Sequence, residues 1–174
     1  MIDWREEPIG RHHDRKAFDS GSLELNDYLW RHARQNHTRG GAKTFVAVSA
    51  AAPETILAYY SISPASLAFA KVPATLTKGL GHYEVAVFRL ARLAVALPIQ
   101  GQGLGGDLLL AAGARAIAVA AQVSGVALAI DAKDEKAARW YERFGAIPLL
   151  DSSPLSLILP FKTLIDALEI ARNG

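Results

Sequence analysis

The chain of 174 residues contains no cysteine. Disulfides, thiolate metal sites and a cysteine nucleophile are therefore excluded, and the absence suits a reducing compartment. An excess of one charge is also lacking. The 19 basic and 17 acidic side chains leave a net charge of +2, so any affinity for polyanions must come from local clustering. No run of about 18 apolar residues occurs, because the longest stretch, Leu108 to Ala121, is broken by Arg115. No membrane span is expected. The opening MIDWREEPIG has no basic start followed by an apolar stretch, so no secretory signal is expected either. Internal repeats, low-complexity tracts and linkers are absent. With 51% hydrophobic and 21% charged residues, the expectation is a globular cytoplasmic protein with one domain over residues 1–174.

Apolar spacing predicts a helix over residues 22–37, with Leu25, Tyr28, Leu29 and Ala33 on one side and Ser22 or an upstream neighbour as cap. Residues 44–49 and 55–63 read as strands joined by a Pro-containing turn, a hairpin. Residues 64–70 suit a third strand or a short helix. Residues 85–96 read as a strand stopped by Pro98, followed by a helix from Asp107 to Val123 and a short strand over 126–130. A helix over 134–144 ends at Gly145. A strand over 155–159 and a helix from Phe161 to Arg172 complete the chain. This order gives a mixed α/β (α+β) domain with a mainly antiparallel front half.

The sharpest feature is Gln100-Gly101-Gln102-Gly103-Leu104-Gly105-Gly106, between a strand and a helix. Glycines permit positive φ and close backbone approach to a ligand. The helix beyond offers free N–H groups and the positive end of its dipole, a seat for phosphate or pyrophosphate. A nucleotide P-loop would need Lys then Ser or Thr at the helix start, where this chain has Gly106-Asp107. Gly101, Gly103 and Gly106 match the dinucleotide fingerprint, with Asp131 near the expected ribose-binding position. However, only two strands follow, too few for a doubly wound sheet.

Gln100-x-x-Gly103-x-Gly105 resembles the pyrophosphate loop of the GNAT superfamily of N-acetyltransferases, which bind acetyl-coenzyme A (acetyl-CoA). Arg92-Leu93-Ala94-Val95 looks like its splayed central strand, and Asp134-x-x-Ala137-x-x-x-Tyr141-x-x-x-Gly145 like its tyrosine helix. A closer resemblance covers nearly the whole chain. Phe18-Asp19-Ser20-Gly21, Leu25-Asn26-Asp27-Tyr28-Leu29, Ala58-Tyr59-Tyr60-Ser61-Ile62-Ser63 and Trp140-Tyr141 look like the GNAT toxins of bacterial toxin–antitoxin pairs. Ala58 stands where that family has Gly, Ala96 where it has Asp, and Asp134 where it has Asn.

The resemblance implies a GNAT fold that acetylates the amino acid on aminoacyl-tRNA and so blocks translation. It also implies neutralisation by a ribbon-helix-helix antitoxin, operator DNA bound through that complex, and a homodimer. Leu93, Ala94 and Val95 would supply a main-chain oxyanion site. Gln100, Gly101, Gln102, Gly103, Leu104, Gly105, Gly106 and Asp134 would hold the coenzyme, with Asp134 alternatively capping its helix. Tyr141 matches the general acid that protonates the leaving thiolate; its neighbour Trp140 can take the core role. An α-amine, with pKa about 7.7–8.0, is partly uncharged near neutral pH and needs little base. Glu84 and the histidines are the other candidates for that role. The histidines have no metal-motif spacing, so no metal is expected.

From Tyr28 to Pro53 no acidic residue occurs, while Arg31, Arg34, Arg39 and Lys43 are present with His32 and His37. Such a run suits a phosphate backbone, and on charge alone it equally suits a solvated helix end. Arg31 and Arg34 fall on one side of the expected helix. Arg92 is placed to reach the tRNA acceptor end or the coenzyme. One of Tyr59 and Tyr60 is expected to line the acceptor pocket, the other the core. Acetylation of a small amine or a protein N-terminus, and a non-enzymatic coenzyme-binding module, are the alternative functions.

Overall fold

A computed structural model describes residues 1–174. The hydrogen-bonded strands lie in the order β1 (Trp4–Pro8), β2 (Lys43–Ser49), β3 (Ile56–Leu67), β4 (Val85–Val95), β5 (Ala127–Asp131), β7 (Ser156–Pro160), β6 (Ile147–Pro148), and by its contacts the chain divides into two compact units. The first comprises Met1–Ser63 and Arg92–Leu109. Here β1 (Trp4–Pro8) pairs antiparallel with β2 (Lys43–Ser49), with Trp4 opposite Ser49 and Pro8 opposite Phe45. β2 pairs antiparallel with β3 (Ile56–Leu67), with a bulge between Ala47 and Val48. β1 went unread in the sequence because WREEP carries almost no apolar alternation. It is an edge strand, and charge plus proline are what keep an edge from pairing with other chains.

The helix expected over 22–37 exists in three pieces: α1 (Leu23–Asp27), a π-helical turn (Tyr28–His32) and α2 (Ala33–Arg39). Ser22 caps its start by accepting from the Leu25 N–H, and Gly40 ends it in the left-handed region at φ 79°. Leu25, Leu29 and Ala33 pack with Phe18, Val46, Val48 and Tyr59 in this unit's core.

The second unit comprises Pro64–Ala91 and Leu110–Gly174. β3 continues to Leu67, a 3-10 turn follows at Phe69–Lys71, and α3 (Ala74–Thr77) is a single turn. β4 (Val85–Val95) pairs in parallel with β5 (Ala127–Asp131) at Phe88, Arg89 and Leu90 only. After β5 come α5 (Glu135–Glu142), β6 (Ile147–Pro148) and β7 (Ser156–Pro160). β7 runs antiparallel to β5 and to β6. α6 (Phe161–Asn173) ends the chain. Val85, Val87, Ala127, Ala129 and Ile158 form this unit's core.

α4 (Leu104–Val123) starts three residues before the expected Asp107. By length and composition it is apolar enough to cross a membrane. Leu104, Leu108, Leu109, Ala112 and Ala116 are buried along one side, the pattern of a core helix, and Arg115 lies midway along it.

Candidate active site

In the first unit, the loop before α4 is built by its own sequence. A 3-10 turn at Leu97–Ile99 uses Pro98 to leave β4. Gly101 and Gly103 then take φ of 79° and 89°, values strained for any residue with a Cβ. A Cβ built at either glycine meets nothing within 4 Å, so the glycines are needed for conformation and leave open surface above the loop. Because α4 begins at Leu104, Gly105 and Gly106 belong to its first turn. Asp107 N–H already bonds the Gly103 carbonyl, so the N–H groups of Leu104, Gly105 and Gly106 remain for a ligand. An exposed loop with left-handed glycines leading into free helix N–H groups fits a pyrophosphate. The exposed Asp107 in that turn complements the same dipole.

Gln100 and Gln102 point their amides back at the protein. Gln100 Nε2 donates to the Val95 carbonyl at 2.8 Å and the Ser20 carbonyl at 2.9 Å. Gln102 Nε2 donates to Pro98 at 3.2 Å. The loop is thus fastened to the segment preceding α1. Leu97 N–H also donates to the Asp19 carbonyl at 2.8 Å. That segment is itself held by buried Asn26. Asn26 Oδ1 accepts from Ser20 N–H and Ser20 Oγ, and Asn26 Nδ2 donates to the Asp19 carboxylate, each at 2.8 Å. The bond from Gly21 N–H, then the one from Asn26, lower the Asp19 pKa. The Phe18–Gly21 signature and Asn26 therefore buttress the loop, a role their spacing alone did not disclose.

Ala94 is buried in the first unit's core, and Leu93 and Val95 are half-buried on β4. Arg92 lies 3.8 Å over the Tyr28 ring as a cation–π pair. Tyr28 in turn stacks on Tyr59 at 6.4 Å. Tyr59 does not line a pocket. It is fully buried, and its hydroxyl donates to the Leu25 carbonyl at 2.6 Å. Tyr60 is equally buried, its hydroxyl donating to Glu6. The expectation of one outward tyrosine fails because β3 is an inner strand covered on both faces. Burial pushes the Tyr59 hydroxyl above its ordinary pKa.

The basic run is less uniform than its sequence. Arg31 forms an ion pair with Asp27 at 3.0 Å, and His32 lies 3.7 Å from the same carboxylate. Asp27 sits one residue outside the acid-free run, at the i−4 position that should have flagged the pair. Lys43 Nζ donates to the His37 carbonyl. Arg39 lies against the Gln35 side-chain amide. Arg34 has no side-chain partner. Arg15, absent from the sequence reading, donates to the Trp30 carbonyl at 2.9 Å.

In the second unit, Asp134 is the α5 cap. Its Oδ1 accepts from Ala137 N–H at 2.8 Å and its Oδ2 pairs with Lys133 Nζ at 2.7 Å. The Lys133 bond, then the Ala137 bond, lower its pKa. This carboxylate caps the helix, the alternative role expected for it. Tyr141 is buried, and burial raises its hydroxyl pKa. The hydroxyl has no partner in the chain, yet its oxygen is not fully occluded. A protonated, unengaged hydroxyl with remaining access is what a proton donor requires. Trp140 packs edge-on against it at 5.0 Å and fills the neighbouring space with Phe144. Glu84 accepts from Ser66 Oγ and is exposed.

One cluster has metal-ligand spacing: Glu7, His12 and His13. Glu7 Oε1 lies 3.4 Å from His12 Nε2 and 3.6 Å from His13 Nε2. His13 Nδ1 accepts from Gly10 N–H at 2.9 Å. The neutral ring therefore carries its proton on Nε2, the nitrogen facing the carboxylate. A metal there would have to displace that proton, whereas ligating histidines donate from their other nitrogen. The cluster reads as a carboxylate–imidazole contact.

No family model matches the chain. A tRNA-acetylating toxin of Mycobacterium tuberculosis (strain ATCC 25618 / H37Rv) is 32% identical over 149 residues, covering 86% of this chain and 87% of that protein. The crystal structure of a tyrosine-to-phenylalanine mutant of KacT superposes with TM-score 0.88 at 26% identity, covering 95% of this chain and 99% of that one. AtaT complexed with acetyl-methionyl-tRNAfMet superposes with TM-score 0.87 at 25% identity over 95% and 99%. A further AtaT structure, bound to acetyl-CoA and the C-terminus of its antitoxin AtaR, has TM-score 0.81 at 23% identity over 95% of this chain and 98% of that one.

Proposed function

Because the chain belongs to the family of GNAT-type tRNA-acetylating toxins, we propose that it transfers acetyl from acetyl-CoA to the α-amine of aminoacyl-tRNA and thereby arrests translation. The observation that carries this reading is the loop Gln100–Gly106. Two left-handed glycines open to solvent lead into a helix start with free N–H groups, and the toxin signature Phe18–Gly21 braces them. Acetyl-CoA held there by Gln100 to Gly106 supplies an acetyl thioester.

The rest falls to the chain's own groups. Main-chain N–H of Leu93 to Val95 stabilises the negative charge that develops on the carbonyl oxygen. The acceptor amine forms the new C–N bond as the C–S bond breaks. Tyr141 gives the departing sulfur its proton and regains one from water, which takes up the proton shed by the amine. An α-amine of pKa about 7.7–8.0 supplies enough free base near neutral pH for this to work without a dedicated basic residue. Arg34, Arg39, Lys43 and Arg92 receive the phosphate-rich acceptor. Arg31 contributes less, since Asp27 compensates it.

Within the same reading, the chain works in the cytoplasm as a homodimer. A ribbon-helix-helix antitoxin neutralises it and carries it to operator DNA. The test is a cell-free translation reaction charged with the protein. Synthesis should stop only when acetyl-CoA is present, and Tyr141→Phe should leave it running. Arrest that persists without acetyl-CoA would contradict the proposal.

A further inference from the structure

Arg15 and Arg34 form a pair of cations that nothing in the chain compensates. Arg15 Nη1 is anchored at 2.9 Å on the Trp30 carbonyl, within the π-helical turn. Helix carbonyls point toward the C-terminus, so a group docked at residue 30 lies alongside the side chain one turn on, which is Arg34. In agreement, burial and then the charge of Arg34 pull Arg15 below its ordinary pKa. Both residues are half-buried.

Two carboxylates close by in sequence, Asp14 and Asp27, have other partners. Asp14 accepts from Ala17 N–H at 3.3 Å, and Asp27 holds Arg31 and His32. Arg34 makes no side-chain hydrogen bond or ion pair. Two guanidinium groups held together in reduced solvent repel each other unless an anion joins them. Paired planar forks match the oxygens of a phosphate, each able to donate two parallel N–H bonds.

We propose that Arg15 and Arg34 together seat one backbone phosphodiester of the tRNA substrate. This rests on the reading of the chain as an aminoacyl-tRNA acetyltransferase. The sequence could not disclose the site, because Arg15 lies outside the basic run and is brought to it only by the Trp30 carbonyl.

The test is the salt dependence of binding to aminoacyl-tRNA, with Arg34→Gln as the main variant. Arg34 has no bond to lose, so its thermal midpoint should stay at the parent value. Binding should weaken severalfold, and the slope of log affinity against log salt should become shallower by about 0.7–0.9, the loss of one phosphate contact. Arg15→Lys keeps the charge and a donor for Trp30 but loses the fork. It should weaken binding with the slope preserved. The double variant should be little worse than Arg34→Gln alone, because both arginines serve one phosphate. The acetyl-CoA KM should not move. An unchanged slope and affinity in Arg34→Gln, with the parent binding tRNA normally, overturns the proposal and leaves the acetyltransferase reading standing. A rise in acetyl-CoA KM with tRNA affinity unchanged assigns the pair to a coenzyme phosphate and also overturns it. A parent protein that does not bind charged tRNA removes the functional reading itself, and the proposal with it.

Discussion

Replacing Asn26 by Ala should loosen the coenzyme loop from a distance. Asn26 is buried and accepts two hydrogen bonds from Ser20, one from the backbone N–H and one from Oγ, both at 2.8 Å. At about 1 kcal/mol net for each, their loss costs about 2 kcal/mol. The third bond, to the solvent-exposed Asp19 carboxylate, is left out because water replaces it. For a chain of this length, about 2 kcal/mol lowers the melting temperature by about 4–8 °C. The consequence for function follows from connectivity. Ser20 offers its carbonyl to Gln100 and Asp19 offers its carbonyl to Leu97 N–H. A mobile 18–21 segment therefore frees both ends of the turn that leads into Gly101. The expected result is a lower melting temperature together with a raised acetyl-CoA KM, measured by calorimetry and by initial rates at saturating acceptor. Asn26→Asp should be worse at neutral pH, since it faces Asp19 with a second carboxylate. A variant that melts several degrees lower but keeps the parent KM would refute the claim that the signature positions the loop.

Other consequences follow from the same geometry. Gly103→Ala forces a Cβ into φ 89° with nothing nearby to clash. It should cost about 1–2 kcal/mol by denaturant titration and raise the acetyl-CoA KM; a fully stable variant would mean the loop relaxes freely. Tyr141→Phe removes a hydroxyl with no partner in the chain, so stability and acetyl-CoA binding should hold while kcat falls; loss of folding would instead make the residue structural. Burial and then the charge of His12 lower the His13 pKa, while burial and then the charge of Lys43 lower that of His37. The unfolded chain therefore takes up protons first, and stability should be full above pH about 6.5. It should fall as pH drops through that value and level off once the folded-state histidines protonate. A urea midpoint constant from pH 7.5 to 5.5 would contradict this.

What the sequence disclosed and what it hid divide along physical lines. The glycine loop, the strand before it and the tyrosine helix were legible because each rests on local chemistry: positive φ, apolar alternation and helical spacing. β1 was hidden because an edge strand with two glutamates, an arginine and a proline carries no periodic signal. The break in the first helix was hidden because apolar spacing does not mark a π-helical turn, where Arg15 reaches the Trp30 carbonyl from outside the helix. Tyr59 and Tyr60 misled for a related reason. Alternation assigns them opposite faces but does not say that both faces of an inner strand are covered. The Asn26–Ser20–Gln100 link joins residues far apart in the chain, and only the fold brings them together.

The central claim is the acceptor, and labelled acetyl tests it most directly. Acetyl-CoA carrying the label would be incubated with the protein and a charged tRNA pool, beside uncharged tRNA and free amino acids, with Tyr141→Phe in parallel. Label is expected on charged tRNA alone, greatly reduced in the variant. Label on free amino acids, or none on charged tRNA while acetyl-CoA still binds, would contradict it.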